Sequence, residues 1–418
     1  MALTDRTATA LLKRMFKAAV AAADPALCVP PALPRPPRGR TIVVGAGKAA
    51  AAMVRAVERH WNGPLEGIAV TRHGHGLATK RIAVIEAGHP LPDAEGERAA
   101  ERILQSVQCL TKDDLVLALI SGGGSALLTL PVEGVTLREK RALNAALLKS
   151  GAPIAAMNAV RKHLSRIKGG RLAAAAYPAR VVTLAISDVP HDDIATIASG
   201  PTVPDPATLA AARRILKHYG IRPSPAIRRA LANPANETPK PGDARLRRTR
   251  ARILATNGTA RAAATKTART AGFKVRDLGD IEGDAAATGA KHARLALALK
   301  KEGWRGLILS GGELTVTVTG KGSGGRNREY LLSLACGLKG APGIWALAAD
   351  TDGIDGASDA AGAIVGPTTL ARAVAQGRDA RAMLRANDSG AFFAVLGAAL
   401  VTGPTRTNVN DIRAILIV

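Results

Sequence analysis

The chain alternates short apolar runs with longer amphipathic stretches, and most of the apolar runs stop at a glycine, serine or aspartate. Thr41–Val44, Gly67–Thr71, Ile82–Glu86, residues 115–120 and Val181–Ile186 read as strands. The run at 115–120 is continuously apolar, as expected for a strand covered on both faces. Helical-period segments lie between them, ending near His60, Gln108 and Lys149. Strands alternating with helices over the first half of the chain predict a parallel, doubly wound, Rossmann-like α/β sheet. An amphipathic helix over 5–23 and a proline-rich connector, Val29–Pro37, come first. The stretch Asn233–Asp243 is rich in Pro, Asn and Gly and reads as a linker, giving domains at 1–235 and 236–418. A second α/β pattern then begins at Ile253. Its strands are expected near Val275, at 306–310, at Trp345–Ala349 and at Arg413–Val418. Leu314–Thr319 alternates like a half-exposed strand, and Ala391–Val401 suits a buried helix.

The chemistry gathers where these runs end. Ser121-Gly122-Gly123-Gly124-Ser125 follows the strand at 115–120 and opens a helix. Glycines there let the backbone approach a ligand, and a helix start offers free N–H groups to an anion. Ser310-Gly311-Gly312-Glu313 repeats the design. The pair predicts a cleft lined from two domains, although either copy alone also suits a tight turn. Gly45-x-Gly47-x-x-Ala50 resembles a dinucleotide fingerprint, but Thr71-Arg72 stands where a ribose-binding acid is expected. Lys48 inside that turn can meet a phosphate or carboxylate, or remain a surface lysine. Neither a Walker P-loop nor a G-x-S-x-G elbow occurs. Asp188, Glu313, Asp350, Asp352 and Asp355 sit at strand ends or turns. As a set they suit a magnesium–phosphate site, while any one alone suits a turn. The loop Gly322–Gly325 closes on Arg326, which can grip a carboxylate or phosphate with two parallel hydrogen bonds. Residues 158–171 concentrate donors, including Asn158, Arg161 and His163, or form an exposed basic helix.

Composition narrows the class. The 418 residues are enough for two domains with full cores, and no apolar run approaches a membrane span. Three well-separated cysteines and no clean signal segment indicate a cytoplasmic setting. The net charge of +25 invites a nucleic-acid reading, but the charge is dispersed and aromatics are only 2%, too few for base stacking. An anionic small substrate accounts for the positive field equally well.

Several motifs together resemble a known family. Gly45-Ala-Gly-Lys48, His89-Pro-Leu-Pro-Asp93, Ser121–Ser125, Asn158-x-x-Arg161-Lys-His163-Leu-Ser165, Ser187-Asp188-Val-Pro190 and Ser199-Gly-Pro-Thr202 resemble the N-terminal domain of class II glycerate kinases. Ser310–Glu313, Gly324-Gly-Arg-Asn327, Asp350–Gly356 and Gly403–Asp411 resemble their C-terminal MOFRL domain. Two departures stand out: His191 and Arg406 occupy positions where glycine is expected. The resemblance implies phosphorylation of the 2-hydroxyl of D-glycerate with ATP and Mg2+. On the residue reading that agrees with it, Lys48 and Arg326 are the expected cations around the phosphoryl group and substrate carboxylate, and Asp188 is the expected base. Gly45, Gly47, Ser121–Ser125 and Ser310–Gly312 become the phosphate-binding turns. Asn158, Arg161 and His163 become substrate contacts, with Glu313 or Asp352 holding magnesium. Some members carry the label hydroxypyruvate reductase, so an NAD(P)H-dependent reductase is the rival within enzymes. A basic nucleic-acid-binding protein is the rival outside them. Neither nucleic acid nor a membrane is an expected partner, and a homodimer is allowed.

Overall fold

β1 (Thr41–Ala46), β2 (Glu66–Arg72), β3 (Ile82–Ala87), β4 (Leu115–Ile120), β5 (Arg180–Ile186) and β6 (Thr249–Ala255) form one sheet in the order β3-β2-β1-β4-β5-β6. They belong to a computed structural model that describes residues 4–418. β1 and β4 are buried along their whole length, which is why neither alternates in polarity. The pairs β3–β2, β2–β1, β1–β4 and β4–β5 are all parallel. The chain lays down β1 to β3 in one direction, then returns to place β4 on the other side of β1. This reversal opens a crevice at the C-terminal ends of β1 and β4, the place where open α/β sheets bind ligands.

Local chemistry fixes the elements around that sheet. Asp93 caps the helix Ala94–Ser106: its carboxylate accepts the Gly96 N–H at 2.9 Å and the Gly88 N–H at 2.7 Å. The helix lays Ile103 and Leu104 on a core that includes Ile42, Val44, Val116 and Ile120. A smaller core, absent from the sequence reading, gathers Leu143, Leu147, Val160, Leu216 and Leu231 from four helices between 137 and 232. Thr136 and Glu139 close a reciprocal capping box at its entry.

The second sheet contains β7 (Val275–Asp280), β8 (Gly306–Gly311), β9 (Ile344–Asp350), β10 (Ala360–Val365), β11 (Ala399–Val401) and β12 (Asp411–Ile417). Its order is β11-β10-β9-β12-β8-β7. Only β7–β8 is parallel; the other pairings are antiparallel. The expected α/β pattern is present, but as a mixed sheet. Two local expectations change. Only Leu314–Thr315 of the alternating run is strand, and the segment Ala391–Val401 splits into a helix ending at Val395 and β11.

Two compact units result: Pro25–Leu254, and a discontinuous one joining the segment that ends at Asp24 to Ala255–Val418. Where the sequence reading cuts at 235/236, residues 236–254 stay with the first sheet because β6 is its edge strand. The N-terminal helix Asp5–Ala22 goes with the second unit because its apolar face is covered there. Leu11, Leu12, Met15 and Phe16 are buried, and the helix packs on Asn257–Thr270, which offers Ala260, Ala264 and Ala268. At about 1.5–3 kcal/mol per large apolar side chain, that contact outweighs sequence distance in deciding where the helix lies. The Trp345 indole adds a hydrogen bond to Asp5 at 2.8 Å. Among the described residues, no helix is long and apolar enough to cross a membrane.

Candidate active site

In the first unit the glycine turns after β1 and β4 are joined to each other. Ser121 N–H donates to Ala46 O at 3.0 Å, Lys48 N–H to Gly122 O at 2.8 Å and Ala49 N–H to Ser121 Oγ at 3.0 Å. Gly47 has φ +131°, and a Cβ there would collide with Ser121 Oγ and carbonyl. Its hydrogen is therefore required by the neighbouring turn. Gly45 lies within β1 and packs on Ala69. Gly122 has no room for a Cβ because the Asp188 carboxylate, half-buried after β5, occupies that space. A Cβ at Gly123 would meet His89 Nε2 at 2.9 Å and Lys48 Cγ at 3.2 Å. Lys48, His89, Asp188 and the Ser121–Ser125 turn thus surround one spot in the crevice. The Lys48 carbonyl accepts from His75 Nδ1 at 3.3 Å, which fixes the backbone from which its side chain extends.

Next to this spot, Ser125 Oγ lies 2.9 Å from Ser199 Oγ, and Ser199 donates to Asn158 Oδ1 at 3.2 Å. Asn158 is buried and acts by tying the glycine turn to the helix Ile154–His163. Ala198 and Ser199 both hold positive φ, +51° and +61°, a strained pair placed against Gly124. His163 is fully buried. Its Nδ1 donates to Ala159 O at 2.6 Å and its Nε2 faces Glu237 Oε1 at 2.8 Å. Both nitrogens of this expected substrate contact are turned to protein groups. Arg161 is half-buried, with Nε donating to Asn144 Oδ1 at 3.1 Å.

In the second unit Arg326 opens the helix Arg326–Leu338 and meets three carboxylates. Nη1 reaches Glu313 at 2.7 Å, Nη2 reaches Asp350 at 2.7 Å, and Nε reaches Asp411 at 2.9 Å. Burial opposes its charge, yet the fields of Asp411, Asp350 and Glu313 outweigh burial and raise its pKa. Asp411 also takes Arg413 Nη1 at 3.2 Å and Asn327 Nδ2 at 2.7 Å. The Ser310–Gly312 turn is bound into the same cluster: Arg413 donates to Ser310 Oγ and to Gly311 O. Gly311 is packed on Asn257, and Gly312, at φ +84°, on the Ile281 backbone. Asp352 is buried and accepts the Ile354 N–H within its own turn at 2.9 Å. Asp355 binds Arg328 at 3.0 Å. Sequence reasoning passed over Asp411 and Arg413 as site residues. Their signal was two charges opening the last apolar strand, where burial demands partners.

Among the described residues, no group of three or more His, Cys, Asp or Glu side chains is arranged to hold a metal. The guanidinium of Arg326 fills the centre of the one dense carboxylate cluster. Glu313, whose side chain is 54% exposed, is its accessible member.

Residues 11–232 match a family model described as a domain of unknown function, and residues 306–411 match the MOFRL family. The chain is 40% identical to a D-glycerate 2-kinase of Thermotoga maritima, over 97% of each chain. A crystal structure of a glycerate kinase from the same organism superposes with a TM-score of 0.90 at 38% identity, covering 99% of this chain and 100% of that one. The chain belongs to the glycerate kinase family. A relative from Agrobacterium vitis, 53% identical over all of this chain and 96% of its own, bears the provisional name hydroxypyruvate reductase. That name fits the family's double labelling. In this member of the family, β2 ends in Thr71 and Arg72, with no acid to hold a ribose.

Proposed function

We propose that the protein is a glycerate 2-kinase, transferring the γ-phosphoryl group of ATP to the 2-hydroxyl of D-glycerate in the cytoplasm. The observation that carries this reading is the convergence of Lys48, Asp188 and the Ser121–Ser125 turn at the switch point of the first sheet. Phosphoryl transfer needs positioning and charge neutralisation more than a covalent nucleophile, and that convergence offers both. In this reading the Asp188 carboxylate accepts the proton of the attacking hydroxyl. Lys48 meets the oxygens of the transferred group, and the glycine turn supplies backbone N–H groups.

Arg326 is assigned to the phosphoryl group and the substrate carboxylate, with its guanidinium held in place by Glu313, Asp350 and Asp411. Mg2+ would neutralise β- and γ-phosphate charge, a role that asks for one or two carboxylates beside substrate oxygens. Glu313 fits that role through its exposure. Asp352 fits less well, because its carboxylate is buried in its own turn.

The test couples D-glycerate, ATP and Mg2+ to enolase alone, since enolase accepts 2-phosphoglycerate and not its 3-isomer. Phosphoenolpyruvate should form; because enolase itself needs Mg2+, metal dependence is read on 2-phosphoglycerate directly, whose formation should stop with EDTA and resume with excess Mg2+. A silent coupled assay combined with robust NADH oxidation by hydroxypyruvate would hand the reading to the reductase.

A further inference from the structure

The first unit contains a basic cavity beside the glycine turn, lined by Ser125 and by Arg161, the expected substrate contact. The cavity, of about 180 Å3, lies between the Pro90–Pro92 loop, the start of the helix after the glycine turn and the helix Leu137–Lys149. Lys140, Arg161 and Lys168 all line it. Lys140 and Lys168 are 3% and 2% exposed, so both ammonium groups are withdrawn from water. Their hydrogen bonds go to neutral carbonyls. Lys140 Nζ donates to Leu164 O at 3.0 Å, and Lys168 Nζ to Ser125 O at 2.9 Å and Leu128 O at 2.7 Å.

Arg161 is aimed by Asn144, while its Nη2 has only the Met157 sulfur, at 3.8 Å. Among the described residues, no carboxylate forms an ion pair with any of the three. Burial of unneutralised like charges is costly, and natural sites pair them. Burial pushes Lys140 down to about 7: Glu97 opposes the fall and Arg161 adds to it. Lys168 is lowered too, by burial and then by Lys140 and Arg161. Two lysines serving only to satisfy carbonyls would need neither a third cation nor an open cavity beside them.

We infer that this cavity is a binding site for a small oxyanion, a phosphate or carboxylate group held by Lys140, Arg161 and Lys168. The volume amounts to about six waters at roughly 30 Å3 each, room for one such group and its hydration. An anion there would supply the missing counter-charge, and Thr129 and Asn144 add polar lining. The glycerate arm rests on the kinase reading, which the enolase-coupled assay tests separately, and the phosphate arm does not.

Thermal unfolding of the full chain at matched ionic strength tests it, with chloride as the baseline and inorganic phosphate and D-glycerate as two arms. At saturation the midpoint should rise by roughly 5 °C. The rise should be lost in Arg161→Gln and in Lys140→Met. A loss confined to the phosphate arm identifies a phosphate site, and a loss in the glycerate arm identifies the seat of the acid's carboxylate. If neither anion shifts the wild-type protein, or if every shift survives in both variants, the cavity is no anion site. Arg161 is only half-buried, so Arg161→Gln keeps the comparison available if Lys140→Met fails to fold.

Discussion

Lys48 and Arg326 carry the same charge and do different work. Lys48 is half-buried, and the hydrogen bonds holding its turn are made by its backbone. Lys48→Ala leaves those backbone bonds in place and should lose kcat by about 100- to 1,000-fold, the usual cost of one contact to charge in the transition state. Arg326 neutralises Asp350 and Asp411, whose side chains are 5% and 0% exposed. Arg326→Ala removes the ion pair of buried Asp350 and leaves Asp411 with Arg413 and Asn327 alone, so it should cost about 3–5 kcal/mol of stability as well as activity. Denaturant titration beside steady-state kinetics separates the two. Full kcat in Lys48→Ala would remove it from the reacting atoms, and full stability in Arg326→Ala would deny the ion cluster its structural weight. The glycines show why single positions were hard to read. Gly47 and Gly122 look like ligand-facing glycines in the sequence, but Ser121 and Asp188 already fill the space a side chain would need.

At the scale of elements, the two departures from the family's glycines fall where the backbone is left-handed. His191, in the turn Pro190–Asp192, has φ +58°, and Arg406, in the segment before β12, has φ +60°. A residue with a Cβ is held there at a cost of about 1–2 kcal/mol. His191→Gly and Arg406→Gly should each raise stability by up to about 1 kcal/mol, after the greater freedom of glycine in the unfolded chain is deducted. Chemical denaturation reads this directly. Marked destabilisation by both changes would mean that the side chains make contacts that outweigh the strain. The sequence identified these positions as unusual, but only the backbone angles explain why glycine belongs there.

At the scale of the molecule, the connector after the small helical core is held by one carboxylate. Glu237 accepts from Lys240 at 2.5 Å, faces His163 at 2.8 Å and takes the Leu209 N–H at 3.1 Å. Burial works against its ionisation, but the hydrogen bonds from Lys240, Leu209 and His163 prevail and lower its pKa to about 2, from an ordinary 4.5. A depressed carboxylate contributes stability that is complete above its unfolded pKa and lost as pH falls through its folded one. The stability gap between wild type and Glu237→Gln should therefore be constant above about pH 4.5 and shrink from there toward about pH 2. Urea unfolding over that range is the measurement, and a gap unchanged on acidification would count against the assignment.

The sequence by itself determined the first five strands of the first sheet, the glycine turns at their ends and the family, because strand identity and turn chemistry are local properties of short segments. It left to the tertiary structure whatever depends on which segments meet. β6 joined the first sheet and the N-terminal helix joined the second unit because sheet edges and apolar faces take partners regardless of order along the chain. The second sheet is mixed because antiparallel neighbours of β12 come from distant segments that carry no mark of strand direction. His163 faces Glu237 and Arg326 sits in a carboxylate cage for the same reason: burial and partners decide where a charged or polar side chain turns. Lys140 carries no mark in the sequence and Lys168 falls within the donor-rich stretch 158–171, and only the fold brings them beside Arg161 around one cavity.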